Sequence, residues 1–159
     1  MTQRGKSGTP VSRRELLAHI DKWQDVLRLR DWDIRLRMVG TKWRKFGDVK
    51  VDWDDKKALV LVNRKPYSNR DVNLEELVVH ELLHLKLHAM DQMMLDLLDS
   101  LYGEDRDDPK RQFAETQFMT VLEQTVEDLT KALLAADGSG KPLSFDRIER
   151  DLRRERRTR

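Results

Sequence analysis

Two histidines enclose a glutamate and two leucines in the segment His80-Glu81-Leu82-Leu83-His84, and Val78, Val79, Leu85 and Leu87 surround it. An α-helix turns about 100° per residue, so side chains four positions apart point in nearly the same direction. The spacing therefore puts both imidazoles on one helix face, one turn apart, with an acid beside the first. Asn73 is a good N-cap, and Glu76 stands three residues on as its capping-box partner, so the helix is predicted to begin at Leu74. It runs to Leu87 or on to Tyr102. A helix this apolar is buried, and burying two imidazoles and a carboxylate is costly unless something satisfies them. The chain must build a core around this helix and also supply a partner for its polar groups.

The rest of the chain supplies the layers. Ser12, with Glu15 three residues on, caps a helix to about Arg30, whose apolar face is Leu16, Leu17, Ile20, Trp23, Val26 and Leu27. The period then drops to two. Trp32 to Met38 and Asp48 to Trp53 alternate, Asp54 to Lys57 forms a turn, and Ala58 to Val62 is an apolar run. Three strands in a largely antiparallel sheet are predicted. Pro66 to Asp71 reads as a loop. Asp108-Pro109 caps a last helix to about Ala135, which Asp137-Gly138-Ser139-Gly140 ends. The order gives an α+β fold with helices on one side of a small sheet. Its organisation is a disordered N-terminal segment (1–11), one domain (12–136) and a basic tail, flexible or helical (137–159).

Composition removes several functions. There is no cysteine, hence no disulfide, no thiolate metal site and no thiol catalysis, which fits a reducing cytoplasm. Charged residues are 38% of the chain but the net charge is only +2, so the whole is not a basic nucleic-acid binder. The exception is the tail, where seven arginines between 145 and 159 face Asp146, Glu149, Asp151 and Glu155. A nucleic-acid contact is expected there if anywhere, a solvated mixed-charge helix being the plainer reading. No apolar run approaches the roughly 20 residues of a membrane span, and no signal-peptide core is present, so no membrane contact and a cytoplasmic location are expected. Nucleotide-binding and serine-hydrolase motifs are absent. Trp23, Trp32, Trp43 and Trp53 read as core or core-edge residues, and Met90, Met93 and Met94 as gap-filling or helix-contact residues.

The histidine pair points to zinc, which accepts imidazole nitrogens in four-coordinate sites and leaves one position open when catalytic. In this arrangement Glu81 is not a ligand. It is placed to take a proton from the water that zinc activates, as general base. A third ligand must come from elsewhere. His88 lies about 80° around the helix from His80, so it reads as a flanking residue. Asp91 points near the histidines, as an orienting or a solvated acid. The last helix offers Glu115 and Glu123 near its apolar stripe of Phe118, Met119, Leu122, Val126, Leu129 and Leu133, while Glu127 falls further out and reads as surface. Periodicity alone leaves Glu115 and Glu123 open.

A resemblance bears on that choice. Asp31-Trp32-Asp33-Ile34, the Gly47-Asp48-Val49 hairpin, Val79-His80-Glu81-Leu82-Leu83-His84-Leu85 and the segment Leu122 to Leu129 together resemble small metallopeptidases encoded by phages and prophages. These are similar to the minimal zincin cores of the ImmA/IrrE and SprT-like groups. The resemblance covers about residues 12–135. In ImmA/IrrE-like proteins the third ligand is an acid opening an acid-x-x-apolar-x-x-apolar helix. Glu123 with Val126 and Leu129 matches that position, so the resemblance implies His80, His84 and Glu123 as ligands of Zn2+ in a zincin-like, gluzincin-like site. Glu115 with Phe118 and Val121 fits loosely.

The function so implied is a zinc metallopeptidase acting on a protein or peptide substrate, in the host cytoplasm if phage-encoded. The strand Asp48 to Trp53, if at a sheet edge, suits an extended substrate added by strand pairing. Two other readings are a DNA-associated or regulatory phage protein that cleaves a repressor or a DNA-bound protein, and a non-catalytic zinc-binding module.

Overall fold

Side-chain caps fix where each of the three long helices starts. The computed structural model describes residues 11–40, 42–64, 73–103, 105–140 and 146–155. The expected loop at 66–71, and residues 1–10, 141–145 and 156–159 of the two terminal segments, lie outside the described residues. The elements run α1 (Arg13–Val26), β1 (Asp33–Val39), β2 (Gly47–Asp52), β3 (Lys57–Asn63), α2 (Leu74–Tyr102), α3 (Pro109–Ala136) and α4 (Asp146–Glu155). Ser12 Oγ accepts from the Glu15 amide, Asn73 from the amides of Glu75 and Glu76, and Asp108 from those of Lys110 and Arg111. Each cap satisfies amides that the first helical turn leaves unpaired. The helix carrying the histidines continues unbroken to Tyr102.

Helix α1 stops at Val26, short of the predicted Arg30. The Leu29 amide returns to the Gln24 carbonyl and the Arg28 amide to Asp25, the double closure of a Schellman turn. Arg28 therefore holds φ +55°, a position that usually calls for glycine, and for that reason the stop is invisible in the sequence. The strain suggests a test. An L-residue loses roughly 1–2 kcal/mol in this conformation, and glycine loses roughly 0.4–1 kcal/mol through its freer unfolded chain. Arg28 is exposed, so Arg28→Gly is expected to gain about 0.5–1 kcal/mol, read as a higher urea midpoint at unchanged m-value. At α3 the predicted stop is present: Gly138 holds φ +80° and the Ser139 amide returns to Leu134.

The sheet corrects one expectation. Its strand order is β1-β3-β2, so β1 pairs with β3 in parallel and only β2 with β3 is antiparallel. The strand directions alternate along the chain, but the lateral order places β3 between the other two, so the sheet is mixed and not largely antiparallel. Strand β3 is the continuous apolar run, and a strand buried on both edges takes the middle. Ile34, Leu36 and Met38 of β1 align with Ala58, Val60 and Val62 of β3. Ala58, Val60 and Val62 are buried while Leu59 and Leu61 are only partly covered, so the helices pack on one face of the sheet.

One core unites the layers: Leu16, Ile20 and Trp23 of α1, Val78, Val79, Leu82 and Leu85 of α2, Leu122 and Val126 of α3, and the inner face of the sheet. Val11, just before α1, also packs against it. Polar ties set the helix register. Glu75 accepts from Trp23 Nε1 at 2.8 Å and from Lys22 at 2.7 Å, and Lys22 also reaches Asp137 past the end of α3. At the other end of the α2–α3 pair, buried Arg111 donates to the Gly103 carbonyl and lies 2.6 Å from Asp99. These charges meet as an ion pair, though not along a hydrogen-bond direction. Helices α2 and α3 thus run antiparallel. At 1.5 Å per residue α2 is about 43 Å long, roughly twice a strand of this sheet, so its far half extends beyond the main core. No helix among the described residues is long and apolar enough to cross a membrane.

Candidate metal centre

The antiparallel pairing of α2 and α3 brings Glu123 against the histidine face. His80 Nε2 and His84 Nε2 lie 3.2 Å apart, His84 Nε2 is 3.4 Å from one Glu123 oxygen, and His80 Nε2 is 3.6 Å from the other. One donor atom from each residue lies within 4.8 Å of the others. Zinc bonds to nitrogen and oxygen of about 2.0–2.2 Å make the edges of a tetrahedron about 3.3–3.6 Å long. The spacings are of that size, with each histidine nearest a different Glu123 oxygen, so the group could hold one metal ion, and its nitrogen and carboxylate donors suit zinc. The face left by Glu123 opens into a hollow of about 480 Å³.

Burial separates the roles of these groups. Helix α2 turns His80 and His84 partly outward and Glu81 inward, where only 5% of it is exposed. Burial, and then the negative charges of Asp48 and Glu123, push the Glu81 carboxyl up to about 8, against a smaller pull from Lys45. Burial also lowers the His84 pKa, with Glu123 opposing. That holds the imidazole neutral, the form that ligates a metal.

Strand β2 forms the opposite wall. Gly47 lies so close to Glu81 that a Cβ there would overlap Glu81 Oε1 and come within 2.7 Å of Leu77 Cδ1. Asp48 follows, paired with Lys45 at 3.3 Å and Lys50 at 2.8 Å. Asn63, buried at the end of β3, donates to the Trp43 and Lys45 carbonyls, and its amide donates to the Phe46 carbonyl. It ties the turn ahead of Gly47 to the sheet. The far edge of β2 pairs with no strand among the described residues and lines the hollow.

The remaining sequence candidates fall into place around this group. Glu115 is two turns from Glu123 and lines a second hollow with Gln112 and Thr116, which Glu123 also borders but the histidines do not. His88 stands at the rim, its ring 5.9 Å from that of Trp53. Asp91 lines the same hollow. Glu127, which periodicity assigns to the surface, has Oε2 3.7 Å from His80 Nδ1, while its other oxygen pairs with Lys131. The signal for it was its position four residues after Glu123, on the same face of α3. Gly47 and Lys45 carried no signal of this kind, because only the tertiary fold brings them to Glu81, and Asn63 acts on them only through the turn it holds. Compared with family models, curated proteins and solved structures, the chain matches none.

Proposed function

We propose that the protein is a zinc-dependent hydrolase of peptide bonds, with His80, His84 and Glu123 holding the metal and Glu81 acting as general base. The observation that carries this reading is the convergence of His80, His84 and Glu123, near enough together to share one ion, with a buried carboxylate beside them. When bound, zinc supplies a Lewis acid that makes water a nucleophile near neutral pH and polarises a carbonyl. Glu81 accepts the proton of the attacking water and passes it to the leaving amine, a task its raised basicity suits. Glu127 orients His80 through Nδ1, the arrangement in which a carboxylate steadies a ligating imidazole. The open edge of β2 offers backbone donors and acceptors along the hollow to an extended chain. A peptide as substrate follows from that edge and from the resemblance to small phage metallopeptidases.

Elemental analysis tests the metal. The protein purified without chelator is expected to hold about one zinc per chain. His84→Ala and Glu123→Ala are expected to bring the metal to background, and Glu115→Ala to leave it unchanged. A metal-free wild-type protein that takes up no added zinc sinks the proposal. Zinc lost from Glu115→Ala but kept in Glu123→Ala moves the third ligand.

A further inference from the structure

The far half of α2 presents an apolar stripe to solvent. Met90, Met93, Leu97 and Leu101 are 41%, 64%, 49% and 64% exposed. At 100° per residue these four lie within about 80° of one another, a single face of the helix. The inward face of the same segment is already used, with Leu98 buried and Asp99 on Arg111. The exposed charges beside it are mostly acidic: Asp96 flanks the stripe next to Met93, and Asp105 and Asp107 follow the helix end, against Arg106.

Helix α4 has the complementary character. Ile148 and Leu152, one turn apart on it, are 66% and 47% exposed, and the chain from 145 to 159 carries seven arginines against four acids. An amphipathic helix with basic flanks matches an apolar stripe with acidic flanks in both terms.

Geometry and charge together select the occupant. Two stripes facing each other would bring like charges together. Docking of α4 within its own chain is limited by reach. The end of α3 lies beside Glu75, at the other end of α2, and Gly140 is still hydrogen-bonded to Leu134. The residues from Gly140 to Asp146 span at most about 20 Å and α4 adds about 9 Å as far as Leu152, whereas Leu97 and Leu101 lie about 33 Å and 39 Å along α2 from Glu75, so the far half of the stripe is out of reach of its own α4. We infer that the stripe of Met90, Met93, Leu97 and Leu101 receives helix α4 of a second copy of this chain, in a two-fold dimer that exchanges the helices. An exchange buries both apolar faces twice per dimer, as a closed two-fold assembly does.

Sedimentation velocity on full-length variants tests this independently of any metal or activity. The wild type is expected to dimerise with a micromolar Kd, more weakly as salt is raised from about 0.05 to 0.5 M, because the basic and acidic flanks are screened. The pair Leu97→Glu with Leu101→Glu, and separately Ile148→Glu with Leu152→Glu, are each expected to raise Kd at least about tenfold with unchanged Tm, since all four side chains are exposed. Mixing the two double variants is expected to restore part of the association, because one intact stripe then meets one intact α4. A wild type that stays monomeric to about 0.5 mM overturns the inference. So does dimerisation unaffected by the α4 pair, or an α4 that binds nucleic acid on a monomeric chain.

Discussion

Glu81→Gln is expected to keep the zinc and to lose peptide hydrolysis by about 10²–10⁴-fold, the range over which a positioned general base contributes. The amide has the size of the acid, so the packing against Gly47 and Leu77 is kept. What disappears is the proton acceptor. The same change removes a carboxyl whose ionisation burial, Asp48 and Glu123 all oppose. An uncharged amide is also cheaper to bury than a carboxylate. The variant should therefore be at least as stable as the wild type in chelator, an outcome that separates lost chemistry from lost folding. Turnover of a quenched fluorescent peptide library, zinc content and Tm on one preparation give the three readings. Turnover within tenfold of wild type, with zinc present, would remove Glu81 from the role of base.

The histidine pair and its acid were legible because their geometry is local. A four-residue spacing fixes two side chains on one face of a helix whatever lies around it, and Asn73 and Glu76 announce where that helix starts. The third donor was not legible in the same way. Glu115 and Glu123 are eight residues apart and project within about 80° of each other, so the helical period barely separates them. The register between α2 and α3 decides, and that register is set by Lys22 and Glu75 at one end and Arg111 and Asp99 at the other. Such ties join residues distant in sequence and leave no periodic trace. The sheet shows the same division. Alternation gives each strand and the chain reversals give their directions, but the lateral order follows from which strand buries both edges. The apolar run Ala58 to Val62 held that information, read only as a third strand.

Gly47→Ala is expected to cut activity by about 100-fold or more while leaving zinc in place and costing little stability, a combination that a structural glycine does not produce. The added methyl meets Glu81 Oε1 and Leu77 Cδ1 at distances that no real Cβ sustains, so both must move unless the backbone does. Backbone cannot yield cheaply, because Gly47 is hydrogen-bonded in β2 opposite Val62 and the preceding turn is held by Asn63. The movable parts are the ends of two side chains. A carboxylate can rotate away for about 1 kcal/mol of rotamer strain, which keeps the stability cost small. Displacement by about 1 Å from the proton it must take is worth about 10² in rate. The atoms nearest that methyl belong to Glu81 and Leu77 and not to His80 or His84, so the metal is expected to stay. Serine at 47 should behave as alanine does, since it carries the same Cβ. A Gly47→Ala protein with wild-type turnover would mean that Glu81 acts equally well from a second position, and the close seat between β2 and α2 would then serve packing alone.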